Sequence, residues 1–294
     1  MFRRDKGAVM DRNKDNVAVS ALYTSAVWQW AGLPGAELVT PPDAERVFRF
    51  VNGYMRFYQR INPHIFSLPH QLLHRHAAID HLLRQSGCAR VVDVACGFSP
   101  RGLGFSADPA LDCHDIDLPD MARARRKRLE ASAGGRAVLA RTNYSLRAGD
   151  VTTLDFSAEF GDRPTAVVSE GLMMYFPRER QLPIWRGIAR MAAANGGVYL
   201  FDYIPLSEDP ERSGLGKLLH FIRTRVLRLR GDFVYDDRDR DAVAADLRAC
   251  GFDQVEAFST GDIAQAWGLP QAEVPTRTII YRCRASAASS SEDA

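Results

Sequence analysis

A glycine turn and a distant acid are the groups in this sequence best suited to binding a ligand. Residues 90–94 are rich in valine, and the run ends in small residues and Gly97. Asp117 closes a second apolar run twenty residues further along the chain. Glycine lets a ligand approach the backbone closely, and an acid at the tip of the next strand can accept both hydroxyls of a ribose. The pair predicts the ribose-binding half of a Rossmann-like unit.

The composition is that of an ordinary globular protein and narrows the function only by exclusion. The chain has 294 residues, of which 46% are hydrophobic and 25% charged, with a net charge of +2. Such a charge argues neither for nor against nucleic acid as a partner. Five scattered cysteines form no Cys-x-x-Cys pair, so we expect reduced thiols and neither a zinc site nor a disulfide framework. No apolar run resembles a secretory signal or is long enough to span a membrane, which favours a cytoplasmic protein.

Helical periodicity precedes the glycine turn, and strands alternate with helices after it. Helices are predicted over 15–33, between Pro41 and Pro63, and over 69–85, and we assign residues 1–87 to an N-terminal helical cap. The alternation in residues 88–284 predicts an α/β fold with a doubly wound, mostly parallel sheet. The predicted strands are 90–95, 112–116, 144–148, 166–169, 198–201, 255–258 and 277–283, with helices at 119–132, 177–195 and 241–250. The 215–230 segment has no assigned role, and residues 285–294 have the composition of a disordered tail.

Three stretches and one helix segment carry a resemblance to a known family. They read Val-Val-Asp-Val-Ala-Cys-Gly at 91–97, Asp-Ile-Asp-Leu-Pro at 115–119 and Ser-Glu-Gly-Leu-Met-Met-Tyr at 169–175, with Arg75 and Asp80 spaced as Arg-x-x-x-x-Asp. The chain resembles the leucine carboxyl methyltransferase-like group of S-adenosylmethionine (SAM) enzymes, which includes many bacterial polyketide O-methyltransferases. The resemblance implies a Rossmann-like class I methyltransferase fold, in which seven strands carry helices on both faces and a helical N-terminal cap.

The same resemblance implies SAM as the cofactor and assigns roles to individual residues. Asp117 would accept the ribose hydroxyls, Arg75 would pair with the methionine carboxylate, and Arg101 could make a second carboxylate contact. Asp150 would accept the adenine amino group, and Glu170 would hold the amino group of the methionine part. The remaining residues of the expected cofactor site are neighbours of these, namely Asp93, Ala95, Gly97, Leu118, Val151 and Gly171.

Each of these side chains also has a purely structural interpretation. Arg75 and Arg101 could be surface charges on helices, and Asp117 could be a solvated loop acid. Asp150 could cap a helix that begins at residue 152, and Glu170 could only cap the turn that follows it.

Tyr175 leads the group of residues expected around the reacting sulfonium. With Met173 and Met174 it would form part of the wall of the pocket, since an aromatic face attracts a desolvated cation by about 2 kcal/mol. Core packing is the alternative for all three. The further candidate catalytic groups are polar residues near predicted strand ends, Asn143, Ser169 and Tyr203.

Two other patterns are interpreted as structural. His70, His74 and His81 share one helix face, but no His-Glu-x-x-His arrangement accompanies them, so we expect surface or packing histidines and no metal. The basic run at 123–128 has no interleaved aromatic residues and predicts a solvated helix face rather than a nucleic-acid site.

Three functions remain open from the sequence. The leading hypothesis is a SAM-dependent methyltransferase of secondary metabolism that acts on a carboxylate or hydroxyl of a small molecule by in-line displacement. The chain departs from the family at Ala95, where a second glycine is usual, and at Ser99-Pro100-Arg101, where Asp-Thr-Arg is usual. These departures keep open a SAM cyclase that makes azetidine-2-carboxylate and methylthioadenosine by attack of the substrate's own amine. The third hypothesis is a non-catalytic SAM-binding module. The oligomeric state is not predicted.

Overall fold

The computed structural model describes residues 20–61, 67–203 and 238–286. The 215–230 segment, the first residues of the predicted first helix and most of the predicted tail lie outside these ranges. Ala285, at the start of that tail, is buried against the apolar core.

Seven strands form one sheet, as the alternating pattern predicts. They are β1 (Arg90–Val94), β2 (Asp112–Asp117), β3 (Tyr144–Ala148), β4 (Thr165–Ser169), β5 (Val198–Tyr203), β6 (Gln254–Ser259) and β7 (Ile279–Arg284). The strand order is β3-β2-β1-β4-β5-β7-β6, and β7 runs antiparallel to both of its neighbours. The remaining pairs are parallel. This confirms the predicted fold class, and each observed strand overlaps its predicted range.

Helices precede and connect these strands. The chain begins with α1 (residues 20–30), α2 (Ala36–Val39), α3 (Ala44–Ile61) and α4 (Leu68–Arg84). Between the strands lie α5 (Arg101–Phe105), α6 (Pro119–Glu130), α7 (Ala133–Leu139), α8 (Phe156–Phe160), α9 (Arg178–Asn195), α10 (Arg240–Ala249) and α11 (Thr260–Ile263), with a 3₁₀ turn at Met173–Tyr175. The short helices α2, α5, α7, α8 and α11 have no separate sequence prediction, because fewer than two turns show no clear apolar period. In the described residues, no helix is both long and apolar enough to cross a membrane.

Alternate strand residues point to opposite faces of the sheet, and helices pack on both faces. On one face, Trp185 and Ile188 of α9 pack with Tyr199 and Phe201 of β5. Helix α4 covers the other face, where its apolar residues join those of the strands in one core cluster. The third helix of the predicted N-terminal cap therefore also packs into the core of the sheet. The boundary between the cap and the sheet domain stays a prediction.

The strand order has a topological switch point at β1 and β4. β1 lies between β2 and β4, so the connections leaving β1 and β4 run to opposite sides. In open α/β sheets, ligands bind outside the carboxyl ends of the strands at such a switch point. The register pairs Asp93 with Asp115 of β2 and with Val168 of β4, so the loops that follow these strands emerge at one level.

Helix α1 lies over this edge. A Cβ built on Gly97 would lie 3.7 Å from the Cβ of Ala21, so the helix passes directly above the glycine turn. The hydroxyl groups of Ser20 and Tyr175 are 3.2 Å apart, which joins the start of α1 to the turn after β4. The cap therefore closes the edge where the predicted site residues gather.

Candidate active site

The turn after β1 has a left-handed backbone at two positions. Ala95 has φ +54° and Gly97 has φ +52°. A non-glycine residue in this region costs about 1–2 kcal/mol, so Ala95 keeps a conformation that favours glycine. Although alanine replaces the family's usual glycine here, the backbone still has the conformation of a glycine turn. The N–H of Gly97 donates to the Oδ2 atom of Asp117 at 2.6 Å, which joins the turn to the end of β2.

Asp117 has both carboxylate oxygens bonded to backbone. The N–H of Leu118 donates to its Oδ1 atom at 2.7 Å, and Gly97 contacts the other oxygen. Burial raises the pKa of Asp117, while the two N–H donors oppose that rise. A carboxylate offers about four acceptor positions, so each oxygen can accept one more hydrogen bond. Leu118 is 44% exposed beside it. The interpretation of Asp117 as a solvated loop acid is wrong, because its side chain is buried.

Glu170, directly after β4, is surrounded by cationic and imidazole donors. Its Oε1 atom accepts from Nε of Arg75 at 2.9 Å. Its Oε2 atom accepts from Arg101 at 2.7 Å and contacts Nδ1 of His76 at 2.8 Å. His76, Arg75 and Arg101 hold the pKa of this carboxyl well below its usual range, although burial opposes them. The structure shows that Glu170 does not cap Gly171, since the N–H of Gly171 donates to Oδ1 of Asp202 at 2.5 Å.

Arg101 is buried at the centre of this cluster and is not a surface charge. Its side chain has no exposed area, and its Nε donates to Asp80 at 2.6 Å. Its Nη1 lies 3.4 Å from a carboxylate oxygen of Asp93. Burial raises the pKa of Asp93 to about 7, against the nearby positive charge of Arg101. Three acids thus already bind the guanidinium of Arg101. In the predicted role, a carboxylate of the ligand would have to compete with these acids.

Arg75 is also buried, which excludes the surface interpretation. Besides its bond to Glu170, its Nη1 donates to Oδ2 of Asp202 at 3.2 Å. Gly171 has φ +68°, and a Cβ at that position would lie 3.3 Å from both Nη atoms of Arg75. The guanidinium of Arg75 therefore lies against the turn that follows β4, where the methionine carboxylate is expected to bind.

Asp150 lies on the exposed surface after β3. Its Oδ1 atom accepts from the N–H of Thr152 at 2.9 Å and from the hydroxyl of the same residue at 2.8 Å. This is the capping geometry of the structural interpretation, although residues 151–153 form a turn and not a helix. Val151 points into the core cluster that contains Ile116 and Phe156. The adenine role of Asp150 stays a prediction.

The predicted catalytic residues separate into different environments. Asn143 precedes β3 at the opposite edge of the sheet, where its amide donates to the carbonyls of Ser106, Asp108 and Leu111. Its assignment to the catalytic edge is wrong, because it lies at the amino end of a parallel strand. The hydroxyl of Ser169 is fully buried and lies 2.6 Å from that of Tyr199, so Ser169 is a core residue.

Tyr175 lies at the carboxyl edge and is partly exposed, unlike Asn143 and Ser169. It ends the 3₁₀ turn and contacts Ser20 of α1. Met173 of the same turn is fully buried in the core, so it does not belong to the pocket wall, whereas Met174 is half-buried. The hydroxyl of Tyr203 donates to the carbonyl of Arg238 at 3.3 Å.

The basic run on α6 differs from its prediction. Arg125 is completely buried, where it pairs with Asp115 and donates to the carbonyl of Gly97 at 3.1 Å. Arg128 donates to the carbonyl of Thr40 at 2.7 Å. Arg123 is exposed, as the predicted solvated helix face requires. One buried arginine within a run of exposed charge gives no signal in the sequence, because its acid partner lies on another element.

His74 and His81 of α4 are packing residues, as predicted. His74 is buried and contacts the hydroxyl of Thr276 and the carbonyl of Pro270, both at 2.8 Å. His81 stacks on Trp267 with ring centroids 4.5 Å apart. Within the described residues, no group of three or more histidine, cysteine, aspartate or glutamate side chains could hold a metal ion.

Two residues close to Glu170 and Arg75 have no role predicted from the sequence. His76 lies one residue beyond Arg75 and contacts Glu170, and Asp202 is the next-to-last residue of β5. The signal for Asp202 was its position as an acid near the end of a buried strand. No comparable signal marked His76, because its role depends on which face of α4 meets the sheet.

Residues 53–189 match the family model described as leucine carboxyl methyltransferase. The matched region is leucine carboxyl methyltransferase-like. It is slightly less than half of the chain and contains the glycine turn, Asp117 and Glu170. The match confirms the resemblance carried by the motifs. No curated protein matches the chain.

The chain is similar to several solved structures at low sequence identity. The methyltransferase domain of bacterial CtHen1-C is 12% identical with a TM-score of 0.50, over 73% of this chain and 98% of that domain. The SAM-dependent methyltransferase SibL is 17% identical, with a TM-score of 0.48 over 85% of this chain and 61% of its own. PigF, solved with S-adenosylhomocysteine, is 18% identical with a TM-score of 0.46, over 74% and 58%. The chain thus spans about three fifths of the length of the last two.

Proposed function

We propose that this protein is a SAM-dependent methyltransferase that acts on a carboxylate or hydroxyl oxygen of a small molecule. The observation that carries the proposal is the pairing, at one carboxyl edge, of an acid with spare acceptor positions and a cluster of arginines and acids. Asp117 supplies the first and the surroundings of Glu170 supply the second. The family match over residues 53–189 supports this interpretation.

The residues present fit the adenosine end of SAM. Asp117 is held by two backbone donors, and each of its oxygens can accept one ribose hydroxyl in addition. Among the described residues, a Cβ on Gly97 would contact Ala21 of α1 at 3.7 Å, so the turn lies directly beneath the covering helix. Exposed Leu118 offers an apolar surface beside the acid.

The charges near Glu170 fit the amino-acid end of SAM. A guanidinium binds a carboxylate through a planar fork, and Arg75 presents its Nη atoms at the turn of Gly171. The cluster as a whole contains four carboxyl groups and two guanidinium groups with one imidazole: Asp80, Asp93, Glu170, Asp202, Arg75, Arg101 and His76.

This excess of carboxyl groups bears on the choice between methyl transfer and cyclisation. A nearby negative charge stabilises the protonated form of an amine, so the cluster favours a ligand ammonium group. Cyclisation requires the same amine to be neutral, since only its lone pair can attack carbon. Burial raises the pKa of Asp93 to about 7, which reduces this excess of negative charge near neutral pH. The cluster therefore supports an external acceptor.

When bound, SAM supplies an electrophilic methyl group on a positively charged sulfur. The protein's part in such a displacement is to align the reactants and to exclude water. Helix α1 covers the edge at Ala21, and the Ser20–Tyr175 contact fixes the aromatic ring below it. A carboxylate acceptor needs no base, whereas a hydroxyl acceptor needs one. Tyr175 is the candidate for that role at this edge.

The test is incubation of the purified protein with SAM, alone and with a panel of small carboxylic acids and phenols, followed by mass spectrometry. We expect S-adenosylhomocysteine and a methylated product only when an acceptor is present. Methylthioadenosine with azetidine-2-carboxylate from SAM alone would replace the proposal with the cyclase. Calorimetric binding of SAM without turnover across the panel would favour the non-catalytic module.

A further inference from the structure

Asp202 lies near Glu170 at the carboxyl edge. Asp202 belongs to β5, whereas Glu170 directly follows β4. The register of the sheet pairs Ser169 of β4 with Phe201 of β5, so the two acids follow a matched pair. The side chain of Asp202 has no exposed area, which prevents direct contact with a ligand. Desolvation raises the pKa of Asp202, and Arg75 and the N–H of Gly171 oppose that rise.

The two carboxylate oxygens of Asp202 serve two different elements. Oδ1 accepts from the N–H of Gly171 at 2.5 Å, and Oδ2 accepts from Nη1 of Arg75 at 3.2 Å. The first bond fixes the left-handed turn after β4, and the second fixes one end of the guanidinium supplied by α4. Glu170 holds the other end of that guanidinium at Nε. Acids on two sides thus define the plane of Arg75.

We propose that Asp202 is a positioning residue that orients Arg75 toward the carboxylate at the amino-acid end of the bound ligand. The proposal rests on the proposed function, because it assumes a ligand with such a carboxylate. A planar fork binds a carboxylate well only in the correct orientation. Without Asp202, Arg75 keeps a single acidic partner, and the N–H of Gly171 loses its acceptor in a buried site.

The test compares two adenosine thioethers by calorimetry. S-adenosylhomocysteine carries the amino-acid carboxylate, whereas methylthioadenosine lacks the amino-acid end entirely. Asp202→Asn keeps an oxygen that can accept from Gly171 but removes the charge that faces Arg75. We expect this variant to bind S-adenosylhomocysteine about tenfold more weakly than the wild type, and methylthioadenosine within about twofold. Asp202→Ala should lose more affinity for the first ligand.

Asp246→Asn is the matched control. Asp246 is an acid, 13% exposed, that pairs with Arg178 and Arg238 away from the candidate site, so its loss should leave both affinities unchanged. Equal weakening of both ligands by Asp202→Asn would show general damage and overturn the positioning role. Unchanged S-adenosylhomocysteine affinity in both Asp202 variants would overturn it as well. Wild-type protein that bound neither thioether would instead overturn the proposed function, and this inference with it.

Discussion

The two halves of the carboxyl edge stabilise their acids by different means. At the end of β2, Asp117 is held by the backbone N–H groups of Gly97 and Leu118. After β4, Glu170 is held by the side chains of Arg75, His76 and Arg101. The pKa of Asp117 is raised and that of Glu170 is lowered. Neutral donors leave a desolvated acid with acceptor positions to spare, whereas two guanidinium groups hold the other acid firmly ionised.

The largest effect on stability is expected at Glu170. Glu170→Gln leaves Arg75 and Arg101 buried without the carboxylate that joins them. Removal of one partner from a buried ion pair costs about 3–5 kcal/mol, because the remaining charge is uncompensated. Urea unfolding at about pH 7 measures the loss. The control is Glu256→Gln, which breaks a partly exposed pair with Arg282 and should change the free energy of unfolding by less than about 1 kcal/mol.

The same variant tests the direction of the pKa shift of Glu170. Because the folded protein lowers this pKa, ionised Glu170 contributes stability above the ordinary glutamate value of 4.5, and the contribution is lost as pH falls through the lower folded value. The difference between wild type and Glu170→Gln should therefore shrink below about pH 4.5. A difference that grew on acidification would contradict the ion cluster.

A large effect on binding, with a smaller one on stability, is expected at Asp117. Asp117→Ala removes the acceptor of the ribose hydroxyls and the group that holds the N–H of Gly97. We expect affinity for methylthioadenosine to fall about 100-fold, since two hydrogen bonds to a charged group are lost. Calorimetry with Asp120→Ala, an exposed acid at the start of α6, provides the control. Equal affinity of Asp117→Ala and the wild type would remove Asp117 from the site.

The smallest effect is expected at Ala95, in the half of the carboxyl edge where backbone N–H groups hold the acid. Ala95→Gly should raise the free energy of unfolding by up to about 1 kcal/mol, because glycine accepts the left-handed conformation without steric cost. Ala193→Gly, inside α9, should have the opposite sign and cost about 0.5–1 kcal/mol. Thermal unfolding compares the two. Destabilisation by both glycines would show that the turn does not have the backbone described.

The difference between the halves also explains what the sequence could predict. Gly97 follows β1 and Asp117 ends the adjacent strand β2, only twenty residues further along the chain. Their proximity could be predicted because two successive strands of the alternating pattern are neighbours in the sheet. The seven strands follow from the same apolar runs, because strands buried on both faces have nearly continuous apolar sequences.

The ion cluster could be predicted only in part. Arg75 and Glu170 carry a family resemblance, but their contact joins residues 95 positions apart. The burial of Arg101 and Arg125 depends on acids supplied by other elements, so the local sequence suggests surface charge. Asn143 differs from these arginines, because its position before the predicted strand 144–148 already places it at the amino edge of a parallel sheet.

The most direct test of this account is the binding of two thioethers to wild-type protein and Arg75→Lys. Lysine keeps the positive charge but loses the planar fork. We predict that wild-type protein binds both S-adenosylhomocysteine and methylthioadenosine, and that Arg75→Lys binds the first about tenfold more weakly with no change for the second. Equal losses for both ligands, or unchanged binding of S-adenosylhomocysteine, would contradict a carboxyl edge divided into an adenosine half and an amino-acid half.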